Sequence, residues 1–301
     1  MSNNRKNSST GKLPPGDGPS LREFKYAGAP IEWIERIDDD GREDNQAFVY
    51  RVKIASQEYA LKVFKFSNPK SNTFYWGTRL QYELPMKEAI FYTDPFYAEC
   101  RAYGRIEDGK VDKNSKTPRV RQQTAVKCYG YMFLSDEDKR WFINKGHDLE
   151  DDLLDNDVIE ALEGDTRVRA IVKHLDESPK LLHARNIGKA WTTVRLLNKS
   201  LKIYNMDIKA NNFIGHRLVD FGSSWTEPHE LLRYLDKKGK IIAGHKRGTD
   251  AQDFDDMIEE EHIPTRLRVV PKTRHQLRSR GDGPWAGEQL PKRRRRNKPE
   301  T

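Results

Sequence analysis

The residues whose types and spacing indicate chemistry lie in one stretch, Ile203 to Gly222, which reads I-Y-N-M-D-I-K-A-N-N-F-I-G-H-R-L-V-D-F-G. Two short β-type runs in this stretch are joined by a Gly-His pair, and that pattern predicts a hairpin. Folding the hairpin would bring Asp207, Asn212 and Asp220 to one edge. Phosphoryl transfer needs such a set, because one Asp positions the attacking hydroxyl while an Asn and a second Asp hold Mg²⁺.

The same stretch resembles the protein-kinase catalytic loop, H-R-D-L-x-x-x-N, followed by the D-F-G motif. Asp207, Lys209 and Asn212 fall on the matching spacing, and the second run is followed by Asp-Phe-Gly, although Asn-Met replaces His-Arg. The resemblance implies that Asp207 accepts the substrate hydroxyl proton and that Lys209 stabilises the transferring phosphoryl group. It also implies that Asn212 and Asp220 hold Mg²⁺. The alternative is a surface hairpin that carries solvated acids.

A second part of the kinase pattern lies upstream, in the alternating run of residues 58–66. There Ala60-Leu61-Lys62 is similar to the kinase V-A-I-K, whose Lys binds the α/β-phosphates of ATP and pairs with a helix Glu. An Asp-Pro pair predicts a helix start at residues 94 and 95. Glu99, on that helix, is the candidate partner of Lys62. The alternative is that both residues are ordinary surface charges.

The turn between the first two predicted strands departs from the kinase pattern. The strands begin at Ile31 and Ala47, and the residues between them include D-D-D-G-R-E-D-N-Q, with Gly41 as the one glycine. In kinases this turn is a glycine-rich loop that covers the ATP phosphates. Acidic side chains beside an anionic ligand repel it, so this loop argues against ordinary ATP binding.

Length, charge and cysteine content set further limits. The 301 residues carry a net charge of +8, and residues 264–301 alone hold twelve Lys/Arg against three Asp/Glu. The basicity therefore belongs to the C-terminal tail. Two cysteines are too few for a disulfide framework, and there is no signal peptide or long apolar run. We therefore expect a reducing intracellular compartment and no membrane partner.

Several blocks of sequence together narrow the resemblance. In chain order they are L-P-P-G-D-G-P-S-L-R-E-F-K-Y, Y-A-L-K-V-F-K-F, D-P-F-Y-A-E-C-R-A-Y-G-R-I, A-V-K-C-Y-G-Y, I-V-K-H-L and L-V-D-F-G-S-S-W-T-E-P-H. They span about residues 13 to 230. This set resembles a fungal family of kinase-like proteins that is named for a subunit of the inner-kinetochore, centromere-associated complex. The resemblance implies protein partners among kinetochore subunits and a nuclear location at the centromere.

The predicted fold is α+β, a two-lobed protein-kinase-like fold with a truncated C-terminal lobe and disordered tails. We expect a disordered arm over residues 1–19 and a β-rich N-lobe-like region with a helix and an acidic insertion over 20–178. A truncated C-lobe-like region with the catalytic-loop hairpin follows over 179–262, and a basic disordered tail over 263–301. The sequence contains no A-P-E motif after Asp-Phe-Gly and leaves no room for a normal activation segment.

Individual elements are predicted as follows. Residues 119–134 are expected to form two adjoining strands, and residues 168–175 one more. The acidic residues 135–165 are expected to form a solvated insertion with one amphipathic helix, or else a docking surface for basic partners. Further helices are predicted over 181–202, 231–235 and 250–262.

Three functions remain open from the sequence. The first is a catalytically degenerate, pseudokinase-like scaffold. The second is an atypical phosphotransferase that uses ATP and Mg²⁺ on a protein or a small molecule. The third is nucleic-acid binding through the basic tail, where residues 292–298 read K-R-R-R-R-N-K. Such a run serves as a nuclear import signal, which an import receptor binds, or as a DNA contact, and composition does not separate the two. A solvated tail with no partner also remains open.

Overall fold

The computed structural model describes residues 12–14, 18–38, 46–70, 84–109, 124–178, 182–232, 234–235 and 237–270. The strands are β1 (Ile31–Arg36), β2 (Ala47–Ile54), β3 (Gln57–Phe64), β4 (Cys128–Phe133), β5 (Arg169–Lys173), β6 (Ile203–Tyr204), β7 (Phe213–Ile214), β8 (Arg217–Leu218) and β9 (Trp225–Thr226). The helices are α1 (Met86–Thr93), α2 (Pro95–Asp108), α3 (Asp136–Asn144), α4 (Asn156–Ala161), α5 (Ile187–Leu196), α6 (Lys237–Lys246) and α7 (Thr249–Glu260).

A five-stranded antiparallel sheet with the order β1-β2-β3-β5-β4 forms the first half of the molecule. Buried apolar residues alternate along β2, which begins at Ala47 as the sequence predicts. One face of the sheet is covered by α3, whose Phe142 is fully buried, and by Trp33 and Trp141, whose rings stack 4.7 Å apart. Helix α2 packs against the other face of the sheet.

Helix α2 lies against that inner face and begins where the Asp-Pro pair predicts. The Asp94 carboxylate accepts a hydrogen bond from the Phe96 amide, and Pro95 occupies the first helical turn, where no amide donor is needed. The helix ends at Gly109, which has a left-handed φ of 67°. Every residue from Pro95 to Ile106 is buried. Such enclosure fixes the position of each side chain on the helix.

The segment before β1 adds backbone hydrogen bonds to the edge of the sheet. The Phe24 amide donates to the Tyr131 carbonyl at 2.7 Å, and the Tyr131 amide donates to the Arg22 carbonyl at 3.1 Å. Leu13 also packs against the core, and its amide lies 3.4 Å from the Tyr131 hydroxyl. The predicted disordered arm of residues 1–19 is therefore wrong at its end, because residues near 13 and 18–19 contact the folded body.

The second half consists of the hairpin β7–β8, the pair β6–β9 and the helices from α5 onward. One core cluster joins it to the sheet, since Phe64, Phe96, Phe221 and Phe254 all belong to that cluster. Around the sheet, α2 and the hairpin, the described residues form a mixed α+β fold, as the sequence predicts.

Several element boundaries differ from the predictions. The helix predicted over 181–202 begins at Ile187, and its last turn, Leu197–Leu201, is a π-helix. The described part of residues 119–134 contains one strand, β4, while 119–123 lie outside the described residues. The helix predicted over 231–235 is a single 3₁₀ turn, and α6 was missed because its two glycines weaken the helical signal.

The acidic insertion carries two helices, α3 and α4, where one was predicted. Its carboxylates pair with lysines beside β3 and within the insertion itself, as Glu150 does with Lys65, which follows β3, at 3.0 Å and Asp151 with Lys139 at 2.8 Å. Much of its negative charge is therefore neutralised within the molecule.

The C-terminal boundary also moves. Ile263 is buried, and the Asp255 carboxylate accepts hydrogen bonds from the amides of Val269 and Val270. The predicted disordered tail of 263–301 is therefore wrong for residues 263–270, which are held by α7. The predicted division between the two lobes at 178 and 179 stays a prediction, because residues 179–181 lie outside the described part of the chain.

Gly104 on α2 offers a test of how closely the N-terminal segment packs on this helix. A Cβ added there would lie 2.5 Å from the Pro19 carbonyl oxygen and 2.8 Å from the Leu21 amide nitrogen, so backbone must move. We expect Gly104→Ala to lower the free energy of unfolding by about 1–3 kcal/mol in urea titrations, as overpacking does. The matched control is Gly188→Ala on α5, where nothing lies within 4 Å and a rise of up to about 1 kcal/mol is expected. Equal stability of the Gly104 variant and the wild type would contradict this packing.

Candidate functional site

The catalytic-loop residues meet at the mouth of a cleft between the sheet and the hairpin β7–β8. The Asn212 side-chain amide donates to the Asp207 carbonyl at 2.8 Å and to the Asp207 carboxylate at 3.0 Å. Lys209 lies 2.9 Å from the same carboxylate. Both members of that ion pair are more than a third exposed, so they stand at the solvent side of the cleft.

Lys62 on β3 joins the two halves of the site at the inner end of the cleft. Its ammonium lies 2.9 Å from a Glu99 carboxylate oxygen and 2.7 Å from Asp220 Oδ1. Glu99 has no exposed surface, as its place on the enclosed α2 requires. Burial lowers the pKa of Lys62, but the charges of Asp220 and Glu99 outweigh burial and raise that pKa above its ordinary value. Lys62 therefore stays charged in the folded protein.

Asp220 accepts hydrogen bonds from two directions. Its Oδ1 is bonded to Lys62 and to the Gly222 amide, the latter at 2.8 Å. Burial raises the pKa of Asp220, but the charges of Lys62 and Lys173 outweigh burial and hold that pKa well below its usual range. Asp220 is therefore a carboxylate at any physiological pH.

The site contains a third lysine, which the sequence analysis did not identify. Lys173, at the end of β5, pairs with the Oε1 atom of Glu99 and donates to the Val219 carbonyl at 2.6 Å. Only 6% of Lys173 is exposed. In the antiparallel register Ile171 lies opposite Lys62, so Lys173, two residues on, projects from the same face. The alternation of side chains places Lys173 on the same face as Lys62 only when β3 and β5 are known to pair. The sequence does not show which strands pair.

The catalytic loop is positioned by residues that the sequence analysis also missed. Asn205, at the place of the kinase His, donates from its side chain to the Asp220 carbonyl at 2.7 Å. Met206, at the place of the Arg, has a left-handed φ of 65°, a conformation that costs energy for a residue with a side chain. Asp250 on α7 accepts the amides of Asn205 and Met206, each at 2.8 Å. The loss of His-Arg therefore leaves the loop anchored to both Asp220 and the helix behind it.

Asp250 is buried, and burial raises its pKa, although the two backbone amides oppose that rise. The sequence placed this residue on a helix that is confirmed as α7, but its side chain looked like any other charge of an acidic helix. Its role depends on how α7 docks, which no local pattern encodes.

A cavity of about 450 Å³ opens beside these residues, within the range of roughly 300–1,000 Å³ that is typical of small-molecule sites. Its apolar wall is formed by Ala47, Val49, Ala60, Val126 and Ile214. Its polar wall includes five of the six predicted site residues, namely Lys62, Asp207, Lys209, Asn212 and Asp220. Glu99, the sixth, lies behind Lys62. The structure therefore brings all six together, and their roles toward ATP and Mg²⁺ stay predictions.

The acidic loop predicted to repel phosphates lies mostly outside the described residues. Asp38, its first residue, lines the cavity and pairs with Arg36 at 2.6 Å. This pairing reduces the negative charge that Asp38 presents to a ligand.

The charged groups that line the cavity are three lysines and four carboxylates, namely Lys62, Lys173, Lys209, Asp38, Asp176, Asp207 and Asp220. Lys62 and Lys173 supply positive charge at the inner end. Asn212 and Asp220 carry the oxygen atoms that the kinase pattern assigns to Mg²⁺, but Asp220 Oδ1 already holds two donors. Among the described residues, no group of three or more His, Cys, Asp or Glu side chains is arranged to hold a metal ion.

Within the same residues, no helix combines the length and the apolar character needed to cross a membrane.

Substitution of Asp250 tests the anchoring of the catalytic loop. We expect Asp250→Asn to lower the free energy of unfolding by about 1–3 kcal/mol, because an Asn side chain accepts through one oxygen and leaves one buried backbone amide unpaired. Urea titration measures this loss. The control is Glu260→Gln, an exposed position on the same helix, where a change within about 0.5 kcal/mol is expected. Equal losses in the two variants would show that Asp250 does not hold the loop.

Comparisons with known proteins agree with part of this description. A protein-family model described as "Kinetochore Sim4 complex subunit FTA2" matches residues 10–225. A search of curated proteins found no significant match. Among solved structures, "Structure of vaccinia related kinase 3" is similar at 15% identity and a TM-score of 0.33. That match covers 72% of this chain and 54% of the solved chain, so this chain spans about half the length of the kinase it matches.

Proposed function

The chain belongs to the family of the kinetochore Sim4 complex subunit FTA2, and from this membership we propose that it is a kinase-fold scaffold of a kinetochore complex. It would act through its surfaces and hold its catalytic-type residues for structure and ligand binding. Its partners would be other subunits of that complex, and its location the centromeric chromatin of the nucleus.

The observation that carries this proposal is that both carboxylates of the phosphoryl-transfer pattern are bound by lysines of the same chain. Asp220 lies 2.7 Å from Lys62, and Asp207 lies 2.9 Å from Lys209. In phosphoryl transfer, Asp207 must meet a substrate hydroxyl and Asp220 a metal ion. Here each is already paired, and the lysine that holds Asp220 is itself buried.

The chain after Asp220 supports the same conclusion. Phe221 is fully buried and meets Tyr103 of α2 edge to face, with ring centroids 5.2 Å apart. A few residues later the chain forms β9, which pairs with β6. The chain from Phe221 to β9 is therefore part of the packed body, which suits a rigid platform.

An atypical phosphotransferase that uses ATP and Mg²⁺ is the second candidate, because five of the six predicted site residues line one cavity and the sixth, Glu99, pairs with Lys62. In that case Lys62, oriented by Glu99, would hold the α/β-phosphates, while Asn212 and Asp220 would hold Mg²⁺. Asp207 would accept the proton of a substrate hydroxyl, and Lys209 would stabilise the transferring phosphoryl group.

Asp207→Asn separates the two candidates, because Asp207 is partly exposed and an Asn side chain still accepts the Asn212 bond through its oxygen. The scaffold proposal predicts unchanged kinetochore localisation and unchanged co-purification of complex subunits when this variant replaces the wild type. The control is Asp136→Asn, an exposed carboxylate outside the cleft. Transfer of labelled γ-phosphate from ATP to any acceptor by the purified wild type, lost in the Asp207 variant, would overturn the scaffold proposal.

The basic tail supports a separate proposal about location. Residues 264–301 hold twelve Lys/Arg against three Asp/Glu, and the run at 292–298 lies outside the described residues. We propose that this run contacts an import receptor or DNA.

Deletion of residues 292–298 would disperse the protein from the nucleus if the run binds an import receptor. If the run contacts DNA, the affinity for DNA would fall steeply with added salt, and a salt-independent affinity would exclude it.

A further inference from the structure

Two lysines from neighbouring strands share one buried carboxylate at the inner end of the cleft. Lys62 lies 2.9 Å from Glu99 Oε2, and Lys173 pairs with Oε1 of the same side chain. The two lysine side chains are each 7% exposed, and Glu99 is not exposed at all. Charges buried to this degree are stable only when they are paired. The folded protein therefore depends on the pairing of these three groups.

The four charged groups at this end are balanced. Lys62 and Lys173 carry two positive charges, and Glu99 and Asp220 carry two negative charges. In the kinase pattern, one lysine faces the corresponding two carboxylates, and the metal ions bound with the nucleotide neutralise the remaining negative charge. Lys173 therefore supplies a positive charge that the kinase pattern obtains from a bound cation.

This balance persists if Lys62 turns toward a ligand. A phosphate in the cavity would draw Lys62 away from Asp220. If Lys62 were the single lysine beside Glu99 and Asp220, this movement would weaken the pairing of both carboxylates. Here Lys173 remains on Glu99 and is also held by the Val219 carbonyl at 2.6 Å, directly beside Asp220. The repulsion between Asp220 and an anionic ligand is therefore reduced by a positive charge that cannot diffuse away.

The lining of the cavity has an apolar part and a charged part, which suits a base joined to phosphate. Its wall of Ala47, Val49, Ala60, Val126 and Ile214 is apolar, while its inner end is lined by the two lysines. A ligand with a flat apolar part and an anionic part would satisfy both ends, and a free phosphate would satisfy only one.

We propose that Lys173 takes the place of a divalent cation in this cleft, so that the protein binds a nucleoside triphosphate without Mg²⁺. The proposal deepens the ligand-binding part of the proposed function and is independent of the assembly role. Binding of this kind would stabilise the platform and would require no phosphoryl transfer.

Titration of the full-length protein with ATP tests this, by calorimetry in EDTA and again in excess MgCl₂. We expect the two dissociation constants of the wild type to agree within about threefold, a free-energy difference smaller than one charge-assisted hydrogen bond provides. Lys173→Gln should weaken binding in EDTA by about tenfold, and MgCl₂ should restore most of that loss. Lys173→Arg, which keeps the charge, should behave as the wild type does.

Adenosine and inorganic phosphate, titrated under the same conditions, identify the part of the ligand that is bound. Both should bind more weakly than ATP, and binding of phosphate as tightly as ATP would overturn the assignment to a nucleotide. Circular dichroism establishes whether the Lys173→Gln variant folds. If it does not, the wild type in EDTA still decides, because a wild type that requires MgCl₂ contradicts the proposal.

Two further outcomes would overturn the proposal. The first is a folded Lys173→Gln variant that binds ATP in EDTA as tightly as the wild type. The second is a wild type that binds no ATP under either condition. Neither outcome bears on the assembly role, because that role is measured by localisation and co-purification.

Discussion

A cluster of two buried lysines, one buried carboxylate and one partly exposed carboxylate holds the two halves of this protein together. Glu99 comes from the helix on the sheet, Lys62 and Lys173 from two of its strands, and Asp220 from the hairpin half. Removing one member of such a cluster leaves a buried charge without a partner, which costs about 3–5 kcal/mol. The positions of α2, β3, β5 and the hairpin are therefore coupled.

The rest of the described structure keeps that cluster in place. Helix α2 is buried along most of its length and is crossed by the N-terminal segment at Gly104, so Glu99 has little freedom to move. Asp250 fixes the catalytic loop from the other side, and Asn205 links that loop to the Asp220 carbonyl. Contacts from both halves of the chain therefore hold the cleft in place.

Local patterns in the sequence predicted much of this fold. The spacing of Asp207 and Asn212, the Asp-Phe-Gly after the hairpin and the capped start of α2 each depend on neighbouring residues. Residues whose roles depend on distant contacts were not predicted. Lys173 needs the register of β3 against β5, and Asp250 needs the docking of α7. The change of His-Arg to Asn-Met indicated degeneration, whereas the structure shows that Asn205 still bonds to the Asp220 carbonyl.

The most direct test of the cluster is a double-mutant cycle between Glu99 and Lys173. Urea titration would give the free energies of unfolding of Glu99→Gln, Lys173→Gln and the variant that carries both changes. Each single change removes one charge from the balanced set, whereas the double change restores neutrality. Our account predicts that the double variant loses less stability than the sum of the single losses, by at least about 1 kcal/mol. Additive losses would show that the two charges do not interact and would contradict the account.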